Sequence, residues 1–172
     1  MGEAPMWFER KFQFSLPVEL FPNLCARLWG TPARLEEALR GRSPEILTRK
    51  VHEKWSAQEH AGHLVDLEPL WLARVADYVS GAAELTAADL KNTKTNEANH
   101  NERSVEQVLA EFRAARDRLL RRVQELDSPL HGRAMMHPRL KVPMRLVDHL
   151  YFVAEHDDHH LAHIRKLVSS VR

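Results

Sequence analysis

Apolar residues recur at three- and four-residue spacing along most of the chain, and that period predicts helices rather than strands. The first run covers residues 18–39, where Leu20, Phe21, Leu24, Leu28, Leu35 and Leu39 are apolar. Pro32 lies inside it and is expected to kink it or split it in two, and the stretch GRSP closes it. A second run opens at WSAQE, where Ser56 as N-cap and Glu59 three residues later give a capping-box signature, and continues through Leu64, Leu67, Leu70, Trp71 and Val75 to about Ser80. The third opens at Ser104 with Gln107 in the same relation and carries Val108, Leu109, Phe112, Leu119, Leu120, Val123 and Leu126. The fourth runs from about Pro143 to Val168, with Leu146, Leu150, Val153, Leu161, Ile164 and Leu167 on its apolar stripe.

Between these runs the period lapses. Residues 81–103 are polar and read as a long loop that has room for a short helical turn; loops of that length in compact domains tend to be lids or walls of functional sites. DSPLHGRAMMHPRLKVP reads as a second irregular connection. At the N-terminus WFERKFQF alternates apolar and polar, so residues 1–16 are expected to form an extended arm across the helices. The pattern predicts an all-α protein, a four-helix bundle occupying residues 1–172 as one domain.

Composition narrows the classes of function. Only 6 glycines in 172 residues fit the helical reading, and a chain near this length buries roughly 70% of its unfolded surface. With 25 basic and 24 acidic residues interspersed, the net charge is +1, so no block supplies the concentrated positive field that nucleic-acid binding needs. One cysteine, Cys25, allows no intramolecular disulfide, and no apolar run approaches the ~20 residues of a membrane span. The expected setting is cytoplasmic, away from membranes.

The chemistry concentrates in histidine. EHDDHHLAHI, residues 155–164, holds four of the chain's 11 histidines. At roughly 100° per residue with His156 as zero, His160 lies near about 40°, His163 about −20° and His159 about −60°, while the apolar stripe centres at about 80–100°. His156 and His160 therefore border the core side one turn apart, as an i, i+4 pair able to place two imidazoles on one metal ion. His159 and His163 are equally well spaced, and spacing alone does not exclude them. HAGHLVD on the second helix offers His60, His63 and Asp66, with His63 in an inward run. The competing reading is a set of hydrogen-bonded or solvated histidines that bind no metal.

WSAQEHAGHLVD at the second helix, HP before the last one and EHDDHHLAHI within it resemble the DinB-like superfamily, specifically its YfiT-like branch of metal-dependent hydrolases. The resemblance runs from the first helix to the end of the chain. It implies an up-down-down-up bundle with zinc or nickel held by His63, His156 and His160. It also implies that Asp66 matches the family aspartate three residues after the first ligand, and that a small molecule is the substrate. The wider family includes S-transferases and isomerases that act with low-molecular-weight thiols, and many members with no known reaction; homodimers are common in it. A non-catalytic module that keeps the metal for stability, sensing or stress response is the alternative reading of this chain.

On this reading Asp66 and His163 are the candidates for catalysis beside the metal: Asp66 to orient His63 or a substrate, His163 to hydrogen-bond a water in the open position. Glu155, His100 and His137 are further candidate bases. His60 and His149 are expected to be structural and His159 an onlooker, with Glu155 and Asp157 on the solvated side. Asn99, His100 and Asn101 are expected to form a polar loop feeding the third helix. Trp7, Phe8 and Trp29 are candidates either for an interface between copies or for the core.

Overall fold

A computed structural model describes residues 5–169. The first predicted run divides as α1 (Phe21–Trp29) and α2 (Thr31–Leu39), after a 3₁₀ turn at Val18–Leu20. The break falls at Gly30, and Pro32 sits in the first turn of α2, where its missing N–H would have had no helical acceptor. After the short α3 (Pro44–Leu47) comes α4 (Ala57–Ser80), opened by the complete Ser56–Glu59 capping box and closed by Gly81 in the left-handed region at φ 73°.

The predicted loop 81–103 contains α5 (Thr93–Glu97) and a 3₁₀ turn at His100–Glu102. The third long helix, α6 (Val105–Gln124), has Ser104 Oγ accepting the Gln107 N–H. The next connection is more ordered than its sequence suggested: α7 (Ser128–His131) leads into an antiparallel hairpin of β1 (Ala134–Met136) and β2 (Pro143–Arg145). Leu85 and Ala83 add a backbone bridge to Met136, and Tyr78 Oη donates to the Met144 carbonyl, so the hairpin is tied to α4. The last helix, α8 (Leu146–Ser169), therefore starts after Pro143, because residues 143–145 pair with β1 and the Asp148 carboxylate accepts the Arg145 N–H.

Contacts between elements give the chain direction. Gln58 at the start of α4 donates to the carbonyls of His100 and Arg103, next to the start of α6, so α4 and α6 run parallel. His149 near the start of α8 meets Tyr78 near the end of α4, so α8 runs against them. Arg27 bonds Glu155 and Arg34 bonds Asp158, which sets α1 and α2 parallel to α8. The result is the up-down-down-up four-helix bundle, with the small hairpin as the sheet among the described residues. No helix of the described residues is long and apolar enough to cross a membrane.

The apolar core falls into two clusters. One gathers Leu24, Leu28, Trp71, Val75, Leu119 and Val153, and the other Leu35, Leu39, Leu64, Phe112, Leu161 and Ile164. Between them lies a buried polar layer. Arg116 on α6 bonds Glu68 of α4 at 2.6 Å and Asp157 of α8 at 2.6 Å, and Thr31 of α2 donates to Asp157 at 2.9 Å. Asp157 is thus inside, contrary to the expectation of a solvated carboxylate. At about 100° from His156 it occupies the centre of the apolar stripe, in the gap between Val153 and Leu161.

The arm is partly as expected. Residues 1–4 lie outside the described residues; from residue 5 the chain is extended except for a 3₁₀ turn at Trp7–Glu9. Trp7 packs on Phe12 and Phe152 and belongs to the core side, whereas Phe8 and Trp29 are exposed. Arg10 ties the arm to Glu155.

Candidate metal centre

Three imidazoles from two helices meet at the level of the polar layer. His63 on α4 and His156 and His160 on α8 each offer one nitrogen, all within 4.8 Å of one another. They are 3%, 4% and 6% exposed. His156 and His160 stand one helical turn apart and their Nε2 atoms are 3.2 Å apart. Two nitrogens bound at about 2.1 Å to a tetrahedral ion would be about 3.4 Å apart, so the spacing suits one shared cation.

The atoms behind these nitrogens decide which nitrogen faces inward. His63 Nδ1 lies 3.0 Å from Thr95 Oγ1, and the Thr95 hydroxyl donates to Asp66 Oδ2 at 2.9 Å. Thr95 can then accept the His63 Nδ1–H, which leaves the His63 Nε2 lone pair toward the other two rings. Asp66 Oδ2 also lies 2.8 Å from His100 Nε2, and Lys94 pairs with Oδ1 at 3.4 Å. Burial works against ionisation of Asp66, but bonds from His100 and Thr95 and the Lys94 charge outweigh it and hold the carboxyl below its ordinary range.

His100 is buried against Gly62. A Cβ built on Gly62 would lie 2.2 Å from His100 Cγ, so this close approach requires glycine within a helix that would otherwise favour alanine. The segment expected to be a plain polar loop is therefore packed structure that carries Thr95 and His100 to Asp66.

His60, expected to be structural, faces the site. Its Nδ1 is 2.8 Å from His160 Nδ1, and its ring stacks on His163 at 5.3 Å with an interplanar angle of 8°. His163 thus stands one ring farther from the triad than His60. His156 is wedged between Trp7 at 5.0 Å and Trp71 at 5.6 Å, with Nδ1 buried and making no hydrogen bond. Trp55 covers His63 at 4.7 Å, donating its indole N–H to Asn96.

Burial first, and then the other imidazoles or nearby cations, push the histidines down: His63 to about 4, although Asp66 opposes the shift, and His156 and His160 well below 6.5. They are neutral at pH 7, the form that binds metal. Of the other candidate bases, Glu155 is engaged by Arg10 and Arg27. His159 lines the cavity, half-buried, beside Trp7 at 5.7 Å. His149 is enclosed between Trp71 and Tyr78.

The triad opens onto a cavity of about 600 Å³ whose walls include Trp7, Trp55, Trp71 and Phe152 and whose far end includes Arg74, His137 and Arg139. The sequence pattern pointed to none of Thr95, Arg74 or the inward turn of His60. For His60 the available signal was its i−3 relation to His63, which places it on a neighbouring stripe of the same face.

Comparison with known proteins follows the same lines. A family model for the DinB superfamily matches residues 27–164. Among solved structures the fold is similar to that of YfiT from Bacillus subtilis, described as "a probable metal-dependent hydrolase with an unusual four-helix bundle topology". The TM-score is 0.80 at 21% sequence identity, covering 94% of this chain and 93% of that one. No curated protein matches the chain.

Proposed function

We propose, for a chain that belongs to the DinB superfamily, that His63, His156 and His160 hold one divalent metal ion and that the adjoining cavity uses it on a small-molecule substrate, as a hydrolase. The observation that carries this reading is the convergence of three buried, neutral imidazole nitrogens within 4.8 Å. An all-imidazole donor set suits zinc and nickel alike. The description of YfiT as a probable metal-dependent hydrolase supports the reaction class.

When bound, an ion held by three neutral ligands keeps its full charge and supplies Lewis-acid activation of a water or a thiol in its open position. The chain's residues do the rest. Thr95 and Asp66 orient the His63 ring, and His60 orients His160. Asp66 is in this account a positioning residue, since its hydrogen bonds go to Thr95 and His100 rather than into the cavity. His163 and His159 line the cavity as the groups able to exchange protons with a reacting molecule. Trp7, Trp55 and Trp71 exclude water and offer apolar surface to the substrate.

Metal-loaded and metal-stripped protein, assayed on panels of esters, amides and thiol-transfer pairs, test the proposal. Metal-dependent turnover of an ester or amide supports a hydrolase. Metal-dependent transfer to a thiol would replace that reading by an S-transferase. Turnover that survives metal removal would contradict both.

A further inference from the structure

The far end of the cavity holds hydrogen-bond donors that lack acceptors. Arg74 on α4 is 2% exposed; its Nε donates to the Thr86 carbonyl at 2.9 Å, and its guanidinium lies 5.4 Å from the centre of the Trp71 ring. Its Nη1 faces His137 Nε2 at 3.3 Å. His137 Nδ1, however, accepts the backbone N–H groups of Arg139 and Leu140 at 3.2 and 3.1 Å. A neutral His137 that accepts at Nδ1 carries its proton on Nε2, so two donors face each other. Arg139, half-buried with its guanidinium over Phe8, has a buried Nη2 that makes no hydrogen bond.

Among the described residues, no carboxylate pairs with Arg74 or Arg139. Arg116, the other deeply buried arginine, has two. The nearby acids are otherwise engaged: Asp77 accepts the Thr86 N–H and hydroxyl, and Asp89, at the cavity edge, accepts from Lys91 and Thr93. Burial, with Arg139 adding to it against Asp77 and Tyr78, pushes Arg74 down to about 10. A buried guanidinium without an anion is costly to keep.

We propose that Arg74, Arg139 and His137 form an oxyanion-binding subsite in the cavity that adjoins the histidine triad. The substrate is then an anionic small molecule whose carboxylate or phosphate takes the guanidinium groups while its reactive end lies toward the triad. Trp71 links the two parts of the cavity, because the same ring lies 5.4 Å from the Arg74 guanidinium and 5.6 Å from the His156 ring. The position of the reactive end rests on the metal reading above; anion binding itself does not. A planar guanidinium is suited to bidentate capture of either oxyanion.

The test uses metal-free protein, dialysed to remove chelator, so that the two readings can fail separately. Butyrate and inorganic phosphate are titrated against it at constant ionic strength in chloride, followed by tryptophan fluorescence and by the thermal midpoint. Saturable binding of one probe is expected, its identity telling carboxylate from phosphate. Kd should rise at least tenfold in both Arg74→Met and Arg139→Gln and stay as in wild type in His63→Ala. If Arg74→Met does not fold, Arg139→Gln at its half-buried position decides. Saturable binding unchanged in the arginine variants, or no saturable binding of either probe to wild type, overturns the subsite.

Discussion

His60 Nδ1 and His160 Nδ1 lie 2.8 Å apart, so a single proton between them determines which nitrogen His160 presents to the other ligands. If His160 holds it and donates to His60, the His160 Nε2 lone pair points at the shared position. His60→Phe removes that acceptor while keeping a ring against Trp55 and His163. Metal affinity, measured by competition with a chromophoric chelator, is expected to fall about 10- to 100-fold, the usual effect of losing a partner behind a ligand. An unchanged affinity would show that His60 only fills space.

On the opposite ligand the relay runs from His63 through Thr95 to Asp66. Thr95→Val keeps the volume and removes both hydrogen bonds, and should weaken metal binding by a similar roughly 10- to 100-fold. Gly62→Ala is expected to act on the same relay from behind, by displacing His100 from Asp66. Helix propensity alone would make that substitution stabilising by about 1 kcal/mol. A loss of both stability and metal affinity therefore identifies the contact as the cause, and a gain in stability with affinity intact would refute it.

The polar layer makes a separate stability prediction. Arg116→Leu leaves the Glu68 and Asp157 carboxylates buried without their partner, and should cost about 3–5 kcal/mol in urea unfolding. Replacing Arg116, Glu68 and Asp157 together by apolar residues should recover most of that loss, because the unpaired charges go with the pair. A triple variant as unstable as the single one would mean that the layer is needed for packing rather than for charge balance.

The long helices were legible in the chain because their caps and apolar stripes are local signals: Ser56 and Ser104 cap α4 and α6 as expected, although the reciprocal box closes at Ser56–Glu59 and, at Ser104, only the Oγ bond to the Gln107 N–H forms. His63, His156 and His160 were singled out by face angle together with the family resemblance, and the fold brings their ring nitrogens together. Asp157 lies at the core angle of its helix, but a carboxylate is held there only by a partner on α6, 41 positions away, which no local signal reveals. The three-residue strands around Met135 and Met144 carry too few positions to show a period. Thr95, Arg74 and the inward role of His60 depend on which helices meet, which spacing along one helix does not encode.

Acid should destabilise the metal-free protein. His60 and His63 are pushed to about 3 and about 4, and His149, His156 and His160 also lie well below 6.5, in each case chiefly through burial. Below pH of about 6.5 the unfolded chain takes up protons that the folded one refuses, so stability is full above that pH and falls as pH drops toward about 4. The thermal midpoint should accordingly drop steeply between pH 6.5 and 4.5. His149→Leu, remote from the triad, should reduce the slope by about one proton. A midpoint independent of pH over that window would contradict the buried neutral state.

The most direct measurement is the metal content of untagged protein by elemental analysis after dialysis against zinc and against nickel. The three-histidine account predicts about one ion per folded chain for at least one of the two metals. It also predicts near-complete loss in His63→Ala and in His156→Ala, with circular dichroism showing that the helices persist. A wild-type protein that retains neither metal, or folded His63→Ala and His156→Ala variants that retain as much as wild type, would contradict it.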